Sequence, residues 1–251
     1  MFAGIDIGSR TIGLVVMSGG GVKKTGLEDT GFQPLDKAKK MLTQTTGRIF
    51  ATGYGRHAAM SSFAHGAITE IKAHAMGSHH FLPGVRTVLD MGGQDTKVIL
   101  LDGNGSVKDF QMNDRCSAGT GKFLEIMSLA LGFPAVAEFG NAALDGRPGI
   151  KISNMCTVFA ESEAVSLLHK GVAIKDISLA LHAAVVERTA GMLQRVGFEP
   201  PLVFTGGVAN NRCIIELLET RLGVKVMVPK EPQLVGALGA ALAAGANAPA
   251  C

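Results

Sequence analysis

The sequence predicts an α/β fold made of two related halves, and three observations lead to it. Short apolar strand patterns alternate with helical patterns along the chain, as in α/β proteins. A strand–turn–strand pattern at residues 2–16 returns at residues 87–101, each with an apolar run that ends in Asp-x-Gly. This domain-sized interval indicates two halves rather than a short-repeat solenoid. The 251 residues, 47% of them hydrophobic, suffice for two modest domains with buried cores.

In the first half, residues 36–45 follow a proline and predict a short helix. Residues 48–52 predict a buried strand, and residues 61–76 predict a helix because their apolar residues recur at helical spacing. Pro83-Gly84 breaks the chain. We therefore expect a first domain at residues 1–83 and a second at residues 84–232.

The second half opens with the repeated hairpin and then alternates strands with helices. Its predicted strands are 106–112, 202–204 and 224–228, and its predicted helices are 121–131, 134–144, 158–170, 176–196, 212–221 and 233–246.

Composition excludes several classes of protein. A net charge of +3 is too small to indicate nucleic acid as a partner. No apolar run is long enough to span a membrane. The first residues lack the basic segment of a signal peptide, so we expect a cytoplasmic protein. Four cysteines without a secretion signal indicate a reducing compartment and thiol or metal roles.

Three glycine-rich turns predict a nucleotide site. Glycine lets backbone N–H groups close on phosphate oxygens, and an aspartate beside it can hold Mg²⁺ through water or orient an attacking water. Any one of these turns is also an ordinary hairpin turn, whereas the three together favour a nucleotide. The predicted residues are Asp6, Gly8, Ser9, Arg10 and Thr11 in the first turn, Asp90, Gly92, Gly93, Gln94 and Asp95 in the second, and Gly206, Gly207, Val208 and Asn210 in the third.

Two other nucleotide motifs are excluded. The segment Gly119-Thr120-Gly121-Lys122-Phe123 superficially resembles a P-loop, but Phe123 stands where that motif needs a hydroxyl for Mg²⁺, and Cys116 stands where it needs its first glycine. No Gly-x-Gly-x-x-Gly follows the first strand, so a dinucleotide-binding fold is unsupported.

Cys116 and Cys156 each precede a helical pattern. A thiolate, or an anionic iron–sulfur cluster, gains about 0.3–1 kcal/mol per charge at an exposed helix N-terminus. A cluster needs four thiolates, but Cys213 lies in an apolar helical pattern and Cys251 ends an Ala/Gly/Pro-rich tail. A two-fold dimer would supply four ligands, although spacing alone leaves open that both thiols are structural or incidental.

The three glycine turns together resemble those of the acetate kinase, sugar kinase, Hsp70 and actin superfamily. That resemblance implies two ribonuclease-H-like domains with ATP in the cleft between them. It also implies that the last helix, residues 233–246, packs back at the hinge and completes the first domain.

The cysteine segments 113–123 and 156–163, with residues 52–56 and 74–77, resemble the 2-hydroxyacyl-CoA dehydratase activators of the BadF/BadG/BcrA/BcrD ATPase group. The resemblance covers almost the whole chain. It implies an ATPase homodimer in which Cys116 and Cys156 of each subunit hold one bridging 4Fe-4S cluster. Ferredoxin or flavodoxin would reduce the cluster, and ATP hydrolysis with Mg²⁺ would drive the electron to an iron–sulfur dehydratase or reductase.

Within such an ATPase, we expect Asp6, Asp90 and Asp95 near Mg²⁺ and the attacking water, which Gln94 would position. Two alternatives stay open at this point: a sugar-type kinase of the same superfamily with inert cysteines, and a non-catalytic scaffold switched by ATP. His79-His80, with His74, favours a solvated loop over a metal site.

Overall fold

The computed structural model describes residues 1–43, 45–152 and 156–246. The first part of the chain forms β1 (Phe2–Ile7), β2 (Thr11–Ser18), β3 (Gly21–Asp29), α1 (Pro34–Met41), β4 (Arg48–Thr52), α2 (Arg56–Met60), β5 (Gly66–Ala67) and α3 (Glu70–Phe81). The second part forms β6 (Thr87–Met91), β7 (Thr96–Leu101), β8 (Val107–Asn113), α4 (Gly121–Ala130), α5 (Val136–Leu144), α6 (Thr157–His169), α7 (Ile174–Val196), β9 (Leu202–Thr205), α8 (Arg212–Leu222), β10 (Val226–Met227) and α9 (Val235–Ala246).

The strands form two five-stranded sheets with the same topology. Their orders are β3-β2-β1-β4-β5 and β8-β7-β6-β9-β10. In each sheet the first three strands are an antiparallel meander, and the fourth and fifth strands run parallel to the first. The predicted α/β fold with two ribonuclease-H-like halves is therefore confirmed.

Two helices join the halves. The last helix, α9, returns to pack on β1, β2, β4 and α3, and Gly4 makes this possible because a Cβ there would collide with the α9 backbone at Ala237. In turn, α3 packs on the second sheet, where Ala75 lies in one apolar cluster with Val88 and Ile99. The domain division at residue 83 stays a prediction, and α3 packs both on α9 and on the second sheet. No helix in the described ranges is long and apolar enough to cross a membrane.

Most predicted elements match the structure within a few residues, but the predicted helix at 61–76 is wrong. Gly66–Ala67 pairs in parallel with Phe50–Ala51 and so forms a short strand instead. The helix begins only at Glu70, because the Thr69 side chain accepts a hydrogen bond from the Lys72 backbone N–H and caps it. Strand β3 was not predicted, because its side chains are nearly all exposed and give no buried apolar pattern.

Candidate functional site

A cavity of about 440 Å³ is lined by residues of both halves of the chain, including residues of helices α3, α4, α5 and α8. Asp6, Asp90 and Asp95 line it, whereas Gln94 is exposed and is not among the residues that line it. The residues predicted to bind a nucleotide all line this cavity: Gly8, Ser9, Arg10, Thr11, Gly92, Gly93, Gly206, Gly207, Val208 and Asn210. The structure thus brings the three glycine turns together, and their binding role stays a prediction.

The first two turns have the same geometry. The Gly8 backbone N–H donates to the Thr11 carbonyl at 3.0 Å, and the Gly92 N–H donates to the Asp95 carbonyl at 3.0 Å. The third turn depends on Gly206, whose φ is +86° and where a Cβ would lie 2.8 Å from the Asp90 carboxylate. Only glycine meets both requirements there.

The floor of the cleft holds a buried lysine among three carboxylates. Lys97 Nζ lies 2.7 Å from Glu70 Oε2, 2.7 Å from Asp95 Oδ1 and 3.2 Å from Asp90 Oδ2. Glu70 begins α3, while the other three residues belong to the β6–β7 hairpin. This cluster therefore fastens α3 to the second sheet beneath the cleft.

Further hydrogen bonds occupy the remaining oxygens of these two aspartates. Thr205 Oγ1 donates to Asp90 Oδ1 at 3.1 Å and lies 3.0 Å from His74 Nδ1. Tyr54 OH donates to Asp95 Oδ2 at 3.1 Å. Asp90 and Asp95 consequently have every oxygen engaged within the protein.

These contacts shift the titration of the cluster. Burial by itself would raise the pKa of Asp90, but His74 and Lys97 beside it leave that pKa below its usual value. Burial would lower the pKa of Lys97, and the surrounding carboxylates instead raise it well above its usual value. Burial, with the charge of Asp90, raises the pKa of Asp95 although Lys97 opposes the shift.

Asp6 is different. Burial, followed by the negative charges of Glu70 and Asp90, raises its pKa to about 8. No ion pair joins Asp6 to a basic side chain in the described part of the chain, whereas Asp90 and Asp95 share Lys97. A carboxyl whose pKa is raised by neighbouring carboxylates is stabilised as an anion by a cation, so Asp6 suits Mg²⁺.

Sequence reasoning missed Glu70, Tyr54 and Lys97, and its interpretation of His74 is wrong. The three histidines lie on α3 rather than in a solvated loop, and His74 is buried. One signal was available: Lys97 is the lone charge inside the apolar strand β7, and a buried lysine needs partners. No sequence pattern indicated that one partner of Lys97 comes from α3, or that Tyr54, in the turn after β4, bonds Asp95.

The two candidate cysteines lie on neighbouring turns. Cys156 directly precedes α6, and Cys116 lies in the turn before α4. The residues that follow them meet, since Ser117 Oγ and Thr157 Oγ1 are 2.8 Å apart. Both thiols are free and half-buried. In contrast Cys213, in the predicted helix α8, is buried, and its burial raises its pKa to about 12. Cys251 lies outside the described residues.

The turn that carries Cys116 is also joined to the second glycine turn. The Gly121 N–H donates to the Gly92 carbonyl at 2.9 Å, and the Lys122 N–H donates to the Gly93 carbonyl at 2.7 Å. Thr96 Oγ1 donates to the Gly119 carbonyl at 2.6 Å. A movement of the second glycine turn would therefore reach the Cys116 turn directly.

Within these same ranges, no group of three or more His, Cys, Asp and Glu side chains is placed to hold a metal ion. The residues present nonetheless fit half of a four-thiolate site, since two free thiols lie on turns that are hydrogen-bonded to each other and lead into helices. Two thiolates are half the usual ligand set of a 4Fe-4S cluster.

Comparison of the sequence and the structure with those of known proteins shows the family of this chain and several similar proteins. The BadF/BadG/BcrA/BcrD ATPase family matches residues 3–244. The activator of lactoyl-CoA dehydratase from Anaerotignum propionicum is 41% identical over 251 residues, with 95% of both chains covered. The activator of the 2-hydroxyisocaproyl-CoA dehydratase from Clostridium difficile, solved with bound ADPNP, is 36% identical with a TM-score of 0.89, over 97% of this chain and 93% of that one. Component A of the (R)-2-hydroxyglutaryl-CoA dehydratase from Acidaminococcus fermentans is 37% identical with a TM-score of 0.90, over 96% of each chain.

Proposed function

This chain belongs to the BadF/BadG/BcrA/BcrD ATPase family, and from that premise we propose that it is an ATP-hydrolysing electron-transfer activator. It works as a homodimer that shares one 4Fe-4S cluster. Its acceptor is a 2-hydroxyacyl-CoA dehydratase or a related iron–sulfur reductase, and its donor is a reduced ferredoxin or flavodoxin. The observation that carries the proposal is the chain of hydrogen bonds from the glycine turns to the paired cysteine turns.

The cleft supports the nucleotide part of the proposal. Gly8, Gly92 and Gly206 allow backbone N–H groups to approach phosphate oxygens closely. Asp6 has the carboxyl that is free to hold Mg²⁺ or to orient the attacking water, because Lys97 and hydrogen bonds occupy the others. In hydrolysis the water oxygen bonds to the γ-phosphorus, and the bond to the β-phosphate oxygen breaks to release ADP.

The cysteines support the cluster part. Cys116 and Cys156 would supply two thiolates, and a second copy of the chain would supply the other two. A cluster held in this way adds the capacity to accept and release one electron at low potential. Next to Cys156, Val158 and Phe159 are 65% and 68% exposed. Two large apolar side chains exposed beside a half-site fit a face that a second copy covers.

Energy supports the coupling of the two parts. For the transfer of one electron, a difference of about 59 mV in reduction potential is a tenfold change in the equilibrium constant. Making the electron more reducing by a few hundred millivolts therefore costs about 5–10 kcal/mol. ATP hydrolysis supplies energy of that order, whereas one rearranged hydrogen bond supplies about 1 kcal/mol. The bonds from Gly92 and Gly93 to the start of α4 give nucleotide-driven movement a route to Cys116.

The decisive experiment is anaerobic purification with iron, sulfide and visible-spectrum analysis. We expect about four irons per dimer in the wild type, loss of iron in Cys116→Ala and Cys156→Ala, and unchanged iron in the control Cys213→Ala. Iron loss should be accompanied by dissociation of the dimer in size-exclusion chromatography with light scattering.

Two results would contradict the proposal. A colourless wild type that stays free of iron after anaerobic reconstitution would instead favour a sugar-type kinase, which would consume ATP only with an acceptor present to take the γ-phosphoryl group. Iron that survives in Cys116→Ala but not in Cys213→Ala would place the cluster elsewhere.

A further inference from the structure

One wall of the cleft is backed by a histidine that hydrolysis does not use. Asn211, at the start of α8, and Gly140, on α5, line the cavity. Behind them His182, on α7, is fully buried and packs on Phe139 with ring centroids 4.5 Å apart. A fully buried imidazole costs free energy unless its nitrogens are paired, so its partners are informative.

The partners fix the protonation of His182. Nδ1 lies 2.8 Å from the Ser178 carbonyl oxygen, which can only accept, so Nδ1 carries the hydrogen. Nε2 therefore bears the lone pair and accepts from Asn211 Nδ2 at 3.0 Å. Burial lowers the pKa of His182 to about 4, although the bond to Ser178 opposes this. The ring is consequently neutral throughout the physiological range.

This acceptor determines how the Asn211 amide is oriented. Its Nδ2 points to His182, and its Oδ1 accepts from the Ile214 backbone N–H at 3.2 Å, which caps α8. With an acceptor on one side and a donor on the other, the amide cannot flip without losing both bonds. One Nδ2 hydrogen and one Oδ1 lone pair remain available. Gly140 leaves space for the Asn211 amide, since a Cβ there would lie 2.9 Å from Asn211 Nδ2.

The surroundings of Asn211 suit a flat heterocycle. Apolar side chains that can cover the faces of a ring line the same cavity, namely Leu124, Val136, Ala137 and Val208. A donor and an acceptor fixed side by side match the edge of such a ring, where nitrogen and exocyclic groups alternate. Sites of this kind discriminate strongly, because a wrong edge leaves polar groups unpaired.

We propose that Asn211 reads the edge of the nucleobase and that His182 is the positioning residue that holds its amide for that purpose. The inference rests on the proposed binding of a nucleotide in the cleft and adds the specificity of that binding for the base. Because the chain belongs to an ATPase family, adenine is the expected base, and the fixed amide would disfavour guanine, which presents opposite donors and acceptors at the corresponding ring positions.

The test measures equilibrium dissociation constants of ATP, GTP and inorganic tripolyphosphate. We expect Asn211→Ser, which keeps a helix-capping hydroxyl, to lower the preference for ATP over GTP about tenfold, roughly the loss of one hydrogen bond to the base. His182→Phe should lower it about threefold to tenfold for the same reason, and His182→Gln, which can still accept from Asn211, should restore much of it. Tripolyphosphate binding should be unchanged in all three, because it lacks the base.

Several outcomes would overturn the inference. His182→Phe could weaken ATP, GTP and tripolyphosphate equally, or the double variant with Asn211→Ser could show additive losses instead of no further loss. Should His182→Phe fail to fold, His182→Leu replaces it, and imidazole ¹⁵N shifts of the wild type give a second measure. A hydrogen on Nε2 would contradict the assigned tautomer. A wild type that binds no nucleotide would defeat the proposed function itself, whereas one that binds ATP with unaltered preference in every variant would defeat only this inference.

Discussion

The hairpins β1–β2 and β6–β7 occupy the same place in their sheets, but their two aspartates have different partners. Asp90 pairs in register with Lys97, while the equivalent Asp6 pairs with Gly13. A side chain at Gly13 would meet α9 and the turn before it, since a Cβ there would lie 3.6 Å from Ala237 Cβ and 3.1 Å from Leu234 Cδ2. The first hairpin thus has a helix where the second has a lysine.

The parallel strands beside the hairpins repeat this difference. Asp6 pairs with Thr52, and Asp90 pairs with Thr205. Thr205 donates to Asp90, whereas the buried hydroxyl of Thr52 has no partner within the part of the chain that the structure describes. The two hairpins therefore hold one aspartate whose charge is paired within the protein and one without a basic partner among the described residues.

The largest expected effect is that of Lys97→Met, which removes the cation from the second hairpin. We expect the free energy of unfolding to fall by about 3–5 kcal/mol at neutral pH, because buried carboxylates lose their only lysine. The pKa values of Asp90 and Asp95 should then rise in the folded state, so the loss should shrink as the pH falls and these groups protonate. Urea unfolding at pH 5 and pH 7.5 checks this.

The exposed Lys108 provides the control, since its ion pair with Glu199 is long at 3.9 Å. Lys108→Met should cost less than about 1 kcal/mol at either pH. A Lys97→Met variant whose loss is the same at both pH values would show that the lysine acts by packing alone.

In the first hairpin, Asp6→Asn should affect turnover rather than the fold. We expect ATP hydrolysis to fall at least about a hundredfold, as is usual when a group that orients water or metal is lost. ATP binding measured without Mg²⁺ should change little. The matched variant Asp90→Asn should instead destabilise the protein, so the two variants together test whether the hairpins have separate roles; equal losses of stability would contradict it.

The pKa of Asp6 predicts a pH dependence with a definite sign. It is about 8 in the folded protein against an ordinary value of 3.8, so its contribution to stability is present below pH 4 and is lost as the pH rises through 8. Without metal, Asp6→Asn should match the wild type near pH 4 and exceed its free energy of unfolding by roughly 2–3 kcal/mol at pH 9, a figure reduced for solvent screening. Saturating Mg²⁺ and ATP should narrow this difference, and parallel unfolding curves would contradict the shift.

The order of strands and helices could be predicted from the sequence because the signals for these elements are local. Asp-x-Gly after an apolar run marks each hairpin, and helices such as α7 have apolar residues at regular spacing along their length. The predicted turns accordingly line one cavity. The short strand β5 has only two residues and its pairing with β4 carries no local signal, which is why the predicted helix ran through it.

The ionic floor could not be predicted because it is assembled from α3 and the β6–β7 hairpin, which are separate in sequence. Glu70, Tyr54 and Lys97 are far apart in sequence, and of the three only Lys97, the lone charge in β7, gives a local signal. His74 is near His79 and His80 in sequence, but its contacts are with Thr205 and Asp90 in the other half. Long-range polar contacts of this kind follow from the packing of α3 on the second sheet.

The sequence also contains a second internal repeat, a Thr-Gly pair, and the smallest expected effect concerns its two threonines. Thr52-Gly53 and Thr205-Gly206 end equivalent strands, and both glycines have φ of +86°. Thr205→Val should cost about 1–2 kcal/mol, because Asp90 loses a donor while staying buried. Thr52→Val should be neutral or slightly stabilising in the absence of ligand, since it replaces an unpaired buried hydroxyl with a methyl group. Chemical denaturation of both variants measures the difference, and equal losses would mean that the two halves bind their aspartates alike after all.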